Sequence, residues 1–538
     1  MRRMAAAGAC LLGAGLAHAA ETPLNALRLP PPPAISEFEN SISQGTVRVR
    51  AIRIDGNTIL QGQAFAEVIK EYAGRDLNVT QMRELERRLT QVYRDSGFVT
   101  SGVILRSQAV ADETLILQAV EGTVLQVRLT QKPRWSRPGF LTREIIPSPD
   151  APLNLPDLQE RLALLRDSGI VDRVNAELVP LAQLGVSELI LDVEEGNPLH
   201  VSLTYDNHRS PTIGARRGEL SFQHVNLTGW GDELEARVGS TSGVKDGSVR
   251  YASPRLLFST RFGLRWDRSD SVAIDPPVFR SLDIKSDTIT RGLDLVHTLV
   301  RKADANVETS LAAEKRTSNT TLLGFPFSFI PGIADGESRI DVLRLAITAT
   351  TKVEDRAHYL RAQFSAGRTN VADDALQGMA PAQRFSTLSW QYQFARRFET
   401  GKLQFIGRLQ GQLTRNYLLP LEKVSLTGAD AVRGYRESLV LRDRAVVATA
   451  EVQAPLISFG EWASLHGALF GDAAWGENVN RIDDGLPRQL ASIGVGLLAR
   501  TSAGVSATVY LARPNHRWST PRLDAQDRGL HFSLAYRY

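Results

Sequence analysis

From Gly196 to the C-terminus, apolar and polar residues alternate with a period of two. Within 385–394, Leu388, Trp390, Tyr392 and Phe394 alternate with Thr387, Ser389, Gln391 and Gln393. Within 403–413, Leu403, Phe405, Leu409 and Leu413 alternate with Gln404, Arg408, Gln410 and Gln412. Each segment therefore has one apolar and one hydrated face, the signature of a strand. A soluble sandwich also alternates, but with strands averaging about 5–6 residues; these segments run nearer the roughly 9–11 residues that cross a bilayer at a tilt. Starts fall near residues 200, 217, 232, 246, 258, 287, 303, 338, 356, 384, 402, 444, 462, 488, 503 and 529, sixteen in all. An even number is what a closed outer-membrane barrel requires.

The connections carry a second signal. Those after even-numbered strands read as short turns, for example 399–401, and those after odd-numbered strands as long loops: about 268–286, 317–337, 367–383, 415–443, 475–487 and 513–528. Short turns on one side and long loops on the other is the asymmetry of an outer-membrane barrel. The chain ends GLHFSLAYRY, with Leu530, Phe532, Leu534, Tyr536 and Tyr538 on one face. Phe532, Tyr536 and Tyr538 are candidates for a lipid-facing stripe and an edge that assembly machinery recognises.

Residues 47–196 follow a different rule: they repeat. Arg94-Asp95-Ser96-Gly97-Phe98-Val99 recurs as Arg166-Asp167-Ser168-Gly169-Ile170-Val171, and LILQAVEG at 115–122 recurs as LILDVEEG at 189–196, offsets of 72 and 74 residues. In each copy a strand (47–54; 124–130) precedes a helical stretch, with Met82, Leu85, Leu89 and Val92, or Leu158, Leu162 and Leu165, spaced for one buried face. Asn154 followed by Pro156 marks a helix start. Gly97 and Gly169 supply left-handed caps, and two strands follow. The unit is a β-α-α-β-β module, marginal alone and plausible in tandem.

The first residues, MRRMAAAGACLLGAGLAHAA, have a basic start, a short apolar run and a small-x-small end at Ala17-His18-Ala19, the pattern of a cleaved signal peptide over 1–19. The single cysteine, Cys10, lies inside it, so the mature chain has no thiol for a disulfide, a metal or nucleophilic catalysis. Residues 20–46 include Pro30 to Pro33, which break any helix and make this a linker or partial plug. A net charge of +4, with 63 basic residues scattered, gives no reason to invoke nucleic acid. Neither G-x-S-x-G nor H-E-x-x-H occurs, and none of the nine histidines stands four residues from another. Hydrolase and zinc-protease chemistry have no anchor here, no cofactor motif is evident, and there is no Walker sequence to power transport.

The remaining motif is Val432-Arg433-Gly434-Tyr435, in the longest of the surface loops. Signal peptide, two modules, a barrel of about sixteen strands and VRGY in the sixth long loop together resemble the two-partner secretion transporters (TpsB, the haemolysin secretion-activation family), relatives of the barrel-assembly factors. The resemblance implies that 47–122 and 123–196 are POTRA domains in the periplasm and 197–538 a transmembrane β-barrel in the outer membrane of a Gram-negative bacterium. It also implies a monomeric transporter that binds an unfolded partner exoprotein (an adhesin, cytolysin or haem-binding protein) and passes it outward, with outer-membrane lipid and the barrel-assembly machinery as further partners. In the family the loop folds into the lumen and its arginine pairs with an inward aspartate. Here that resemblance nominates Asp472, of the same strand parity as His466, Ala468 and Phe470, with Ala474 where the family has a glycine. An outer-membrane assembly insertase is the alternative the motif allows, disfavoured by only two modules.

Overall fold

The computed structural model describes residues 45–148, 150–256, 259–372, 379–398, 402–480, 484–518 and 523–538, together with Leu27 and Arg28. The expected signal peptide and nearly all of the expected linker or plug lie outside the described residues. The chain divides into two units, 20–197 with 228–230, and the remainder.

Within the first unit, β1 is the dipeptide Leu27–Arg28. The first module comprises β2 (Val47–Val49), β3 (Ala51–Asp55), α1 (Gln63–Tyr72), β4 (Arg75–Leu77), α2 (Val79–Asp95), β5 (Gly102–Ala111) and β6 (Thr114–Val120). Asn78 and Gln81 close a reciprocal capping box at the start of α2, Gln81 N donating to Asn78 Oδ1 at 2.8 Å and Asn78 N to Gln81 Oε1 at 3.0 Å. Met82, Leu85 and Leu89 then point into a core with Phe65, Leu115 and Leu117. Tyr93, rather than the expected Val92, completes the buried face, with Val92 packed at its margin. The reason is a polar tether: the Tyr93 hydroxyl donates to Asn57 Oδ1 at 2.8 Å, and burial pushes its pKa up to about 12. The sheet runs β3-β6-β5, with β3 parallel to β6.

The second module repeats this plan in β7 (Thr123–Leu129), α3 (Pro138–Ile145), α4 (Leu155–Asp167), β8 (Val171–Pro180) and β9 (Val186–Glu195). Asn154 caps α4, and Leu158, Leu162 and Leu165 form its buried face. Its sheet runs β1-β8-β9-β7, with Leu27 and Arg28 laid parallel against Ala176 and Glu177.

The structure also explains why Glu-Gly ends both copies of the sequence repeat. Glu121 accepts from the backbone N–H groups of Thr58 and Ile59, and Glu195 from those of Arg134, Trp135 and Ser136. Glu121 thus pins the loop that leaves β3, and Glu195 the loop that leaves β7. Burial by itself would raise the Glu195 pKa; the bonds from Ser136, Trp135 and Arg134 outweigh it and hold the carboxyl below its ordinary value.

In the second unit the strands are β10 (Leu199–Asp206), β11 (Arg217–Val225), β12 (Glu233–Ser240), β13 (Val244–Ala252), β14 (Thr260–Val272), β15 (Lys285–Arg301), β16 (Ala305–Leu322), the small β17 (Phe325–Pro326), β18 (Glu337–Val353), β19 (Arg356–Thr369), β20 (Arg384–Phe398), β21 (Leu403–Thr414), the loop pair β22 (Val424–Ser425) and β23 (Leu441–Arg442), then β24 (Arg444–Ser458), β25 (Ala463–Glu477), β26 (Gln489–Thr501), β27 (Val505–Pro514) and β28 (Leu530–Arg537). Without β17, β22 and β23, sixteen strands pair antiparallel into a closed barrel. Closure comes from β10 on β28, finished by Tyr538 N donating to Val201 O at 2.9 Å. The barrel satisfies every requirement of a spanning sheet: no open edge, and an apolar exterior that exposes Leu203, Phe262, Leu293, Leu345 and Ile493 among many others. No described helix is long and apolar enough to cross a membrane.

Two expectations are corrected. Strands of about 9–11 residues were expected, but β15, β16 and β18 have 17, 18 and 17 residues. They continue pairing past the apolar band, where hydrated faces such as Asp270, Asp287, Asn319 and Glu337 no longer distinguish inside from outside, so the loops there shrink to 273–284 and 323–336. The connection after the third barrel strand spans only 241–243, a tight turn on the long-loop side.

Candidate functional site

The 415–443 loop turns inward and folds on itself. β22 and β23 pair antiparallel at its base. Above them Leu426 N donates to Val440 O at 2.9 Å and Val432 N to Leu426 O at 3.1 Å, while Thr427 Oγ1 accepts from Leu439 N and Val440 N. Leu426, Ala431, Val432, Tyr435 and Val440 form a small core closed by the inward-facing Ala445, Val447, Ala474 and Leu490 of the barrel wall. Val432 is fully buried in it, and Ala474 is part of the wall it packs on.

This core aims Arg433 at β24 and β25. Its Nε and Nη2 each lie 2.9 Å from an oxygen of Asp472, its backbone N is 3.0 Å from Asp472 Oδ2, and its Nη1 is 2.6 Å from Glu451 Oε2. The register places Asp472 and Glu451 two residues apart along the paired strands, Thr449 opposite Asp472 and Glu451 opposite Phe470. One guanidinium therefore meets two carboxylates in the fork geometry that only arginine offers. The second carboxylate is shared: Glu451 Oε1 accepts from Tyr510 Oη at 2.9 Å and Gln453 Nε2 at 2.7 Å. Arg433 also stacks over the rings of Phe470 and Tyr510, at 3.5 and 4.7 Å from their centroids. Glycines opposite those rings make the room: a β-carbon on Gly494 would lie 2.5 Å from the Phe470 ring, and one on Gly496 would collide with Tyr510.

Arg433, Glu451 and Asp472 are 5%, 6% and 3% exposed. Such a cluster is dry, so deleting one partner falls in the regime of about 3–5 kcal/mol rather than the ~1 kcal/mol or less of a solvated pair.

The neighbours of Arg433 complete the attachment. Gly434 sits at φ +91° with its Cα against Ala512, and its N donates to His531 Nε2 at 3.0 Å. Tyr435 Oη donates to Asn515 Oδ1 at 2.7 Å and its ring packs at a tilt against Trp518. Arg436 makes 2.7 Å bonds to both oxygens of Asp527 and a 2.9 Å bond to Asp275, joining three loops. On the other side, Glu422 accepts from Arg344 at 2.9 and 3.1 Å and from Arg316 at 3.3 Å. The loop is thus fastened to β24–β25 by Arg433 and to β16 and β18 by Glu422.

Of the residues nominated from sequence, the structure brings Val432, Arg433, Gly434, Tyr435 and Asp472 into one contact network. Phe532 and Tyr536 lie apart from it on the outward face of β28, with Tyr538 just beyond its end and the Phe532 ring tilted against Tyr205. Sequence reasoning missed Glu451, Tyr510, Arg436 and Glu422. The available signal was an ionisable residue at an inward position, as with Glu451 in the alternating run AEVQ; partners drawn from distant strands carried none.

Comparison with known proteins agrees with this architecture. The model of the haemolysin secretion/activation protein ShlB/FhaC/HecB family matches residues 185–499, and that of the ShlB-type POTRA domain matches 47–122. The heme/hemopexin transporter protein HuxB of Haemophilus influenzae is 21% identical over 514 residues, covering 90% of this chain and 86% of the relative. The outer membrane transporter CdiB of Dickeya dadantii is 23% identical over 418 residues, covering 76% and 72%. The solved CdiB from Escherichia coli superposes with a TM-score of 0.70 at 19% identity, over 94% of this chain and 93% of that one. With its model matched across most of the barrel and the module type matched at the N-terminus, the chain belongs to the haemolysin secretion/activation (ShlB/FhaC/HecB) family of outer-membrane two-partner secretion transporters.

Proposed function

We propose that this transporter captures one unfolded exoprotein on its periplasmic modules and passes it through the barrel, with the 415–443 loop as the element that must give way. The observation that carries the reading is the dry Arg433–Asp472–Glu451 cluster, which holds the loop across the lumen. With the loop in place, a lumenal cavity lined by Thr290, Arg344, Arg361 and Gln391 has about 410 Å³. That is room for roughly fourteen waters at ~30 Å³ each. An extended chain spanning a ~30 Å core needs about nine residues at ~3.3 Å apiece, and the space is split between this cavity and a second of about 400 Å³, both lined by Leu421 of the loop. Passage therefore requires the loop to leave its seat.

Capture has a physical basis in the modules. The order β3-β6-β5 leaves β3 and β5 as edges, to which a substrate strand can add through main-chain hydrogen bonds that tolerate many side chains. The process needs no catalytic group; folding of the exported chain outside supplies the direction. The name of the Haemophilus relative favours a haem-acquisition protein as cargo over an adhesin or cytolysin.

The test is export of a co-expressed candidate exoprotein. Replacing Arg433 by alanine should cut export sharply while the barrel still inserts, and deleting 47–122 should block it. Undiminished export by the Arg433 variant refutes the role of the loop; normal export without the first module refutes capture there.

A further inference from the structure

The outward face of the barrel carries a feature that neither transport nor simple immersion in hydrocarbon explains. Strand register places Trp266, Arg291, Lys315, Asp341, Arg368 and Arg384 side by side in one row across β14, β15, β16, β18, β19 and β20. All share the face of the exposed Leu264, Leu293, Leu343 and Phe364, so the row points away from the lumen. It lies toward the strand ends that lead into the long loops 273–284, 323–336 and 370–383, hence toward the cell surface. Two steps nearer the periplasm the same strands present Phe262, Leu295, Leu311, Leu345, Phe364 and Leu388, an apolar stretch.

Cations at the outer edge of a lipid-exposed band are tolerated there, unlike at the bilayer midplane, and they attract anionic headgroups. The protein itself neutralises only some. Arg368 pairs with Asp341 at 3.2 Å, Arg268 with Asp270 and Asp287, and Arg339 with Glu337. Arg291, Lys315 and Arg384 form no ion pair among the described residues. These three border a groove of about 1090 Å³ in the outer wall, floored by Gly292, Ala313 and Gly367 and walled by Tyr251, Trp266 and Leu343. Apolar below and cationic above, it has the polarity of an acylated molecule with an anionic head.

We propose that this groove binds the phosphorylated glycolipid of the outer leaflet, lipopolysaccharide, through its lipid A portion. Its phosphates meet the positive charges of Arg291, Lys315 and Arg384, and its acyl chains lie along the small-residue floor. Position selects the source. A phospholipid of the inner leaflet would meet the opposite end of these strands, whereas the row faces the leaflet on the long-loop side.

The full-length transporter, purified in detergent, would be titrated with hexa-acylated lipid A, with the same lipid stripped of phosphate, and with phosphatidylglycerol, and retained lipid counted by native mass spectrometry. Lipid A should bind the wild type at least about tenfold more tightly than it binds an Arg291→Ser/Lys315→Ser/Arg384→Ser variant, on the scale expected of three surface cations. An Arg291→Lys/Arg384→Lys variant should bind within about threefold of the wild type, because the charge remains. Heat-dependent migration in gels checks that each variant is folded. If the triple variant fails to insert, the single Lys315→Ser change should still weaken binding by about threefold or more. Equal retention by wild type and charge-deleted protein, or phosphatidylglycerol or dephosphorylated lipid held as tightly as lipid A, overturns the proposal.

Discussion

Replacing Arg433 by alanine leaves Asp472 and Glu451 facing each other without their cation, at positions only 3% and 6% exposed. Four hydrogen bonds of 2.6–3.0 Å converge from this residue on the two carboxylates, and only the one from the backbone N survives the change. Breaking a buried pair on one side costs about 3–5 kcal/mol. At roughly 1.4 kcal/mol per factor of ten, that multiplies the released population of the loop tip by between two and nearly four orders of magnitude. Cys10 is the single cysteine of the sequence, so in a Cys10→Ala background an Ala431→Cys change reports on the tip: Ala431 is 6% exposed and packed in the loop core. Under conditions where reclosing outpaces labelling, maleimide should modify Cys at that position at least about a hundredfold faster in the Arg433→Ala background. Glu422 and Arg436 hold the rest of the loop, so the barrel should keep its heat-dependent migration. A Ser458→Cys reporter at the exposed end of β24 should not change. Labelling at 431 that stays within about threefold would mean that the cluster contributes little net holding energy. The companion cycle pairs Arg433→Ala with Asp472→Ala; strictly additive losses would show that the two do not couple.

Three further outcomes are expected. Gly496→Val should push the Tyr510 ring off Arg433 and weaken loop seating by about 1–3 kcal/mol, read as faster labelling at position 431; an unchanged rate counts against the ring sandwich. Glu422→Gln should loosen the far attachment to Arg344 and Arg316 and raise single-channel conductance in planar bilayers, while identical conductance would mean that this tether does not restrain the loop. In the second module, Glu195→Gln should lower stability at pH 7 by about 1–2 kcal/mol, a value reduced for partial exposure of the hydrogen-bonded carboxylate. Because its folded pKa lies below the unfolded value of about 4.3, the wild-type advantage is complete above that pH and is lost as pH falls through the folded value. Urea titrations of residues 45–197 at pH 7 and pH 3 that show the same difference would contradict this.

Whatever depends on local periodicity was legible along the chain. A period of two sustained over strands is enough to call for a two-faced sheet, and its starts agree with the observed ones to within two residues, as at Arg384 and Arg444. The 3-and-4 spacing around Leu85 and Leu162 marked the helices for the same reason: side-chain direction follows from backbone geometry alone. The order of Arg433, Gly434 and Tyr435 in one tight turn was visible because neighbours in sequence stay neighbours in space. Tertiary structure decided the rest. Glu451 and Tyr510 reach Arg433 from β24 and β27, 18 and 77 residues away along the chain, and only barrel closure and loop inversion bring them together. The row of cations from Arg291 to Arg384 was equally invisible, since it is defined across strands by register and not along any of them. Where the hydrophobic pattern fades, as at the outer ends of β15 to β18, periodicity no longer marks an end, and strand length is set by hydrogen bonding to the neighbouring strand.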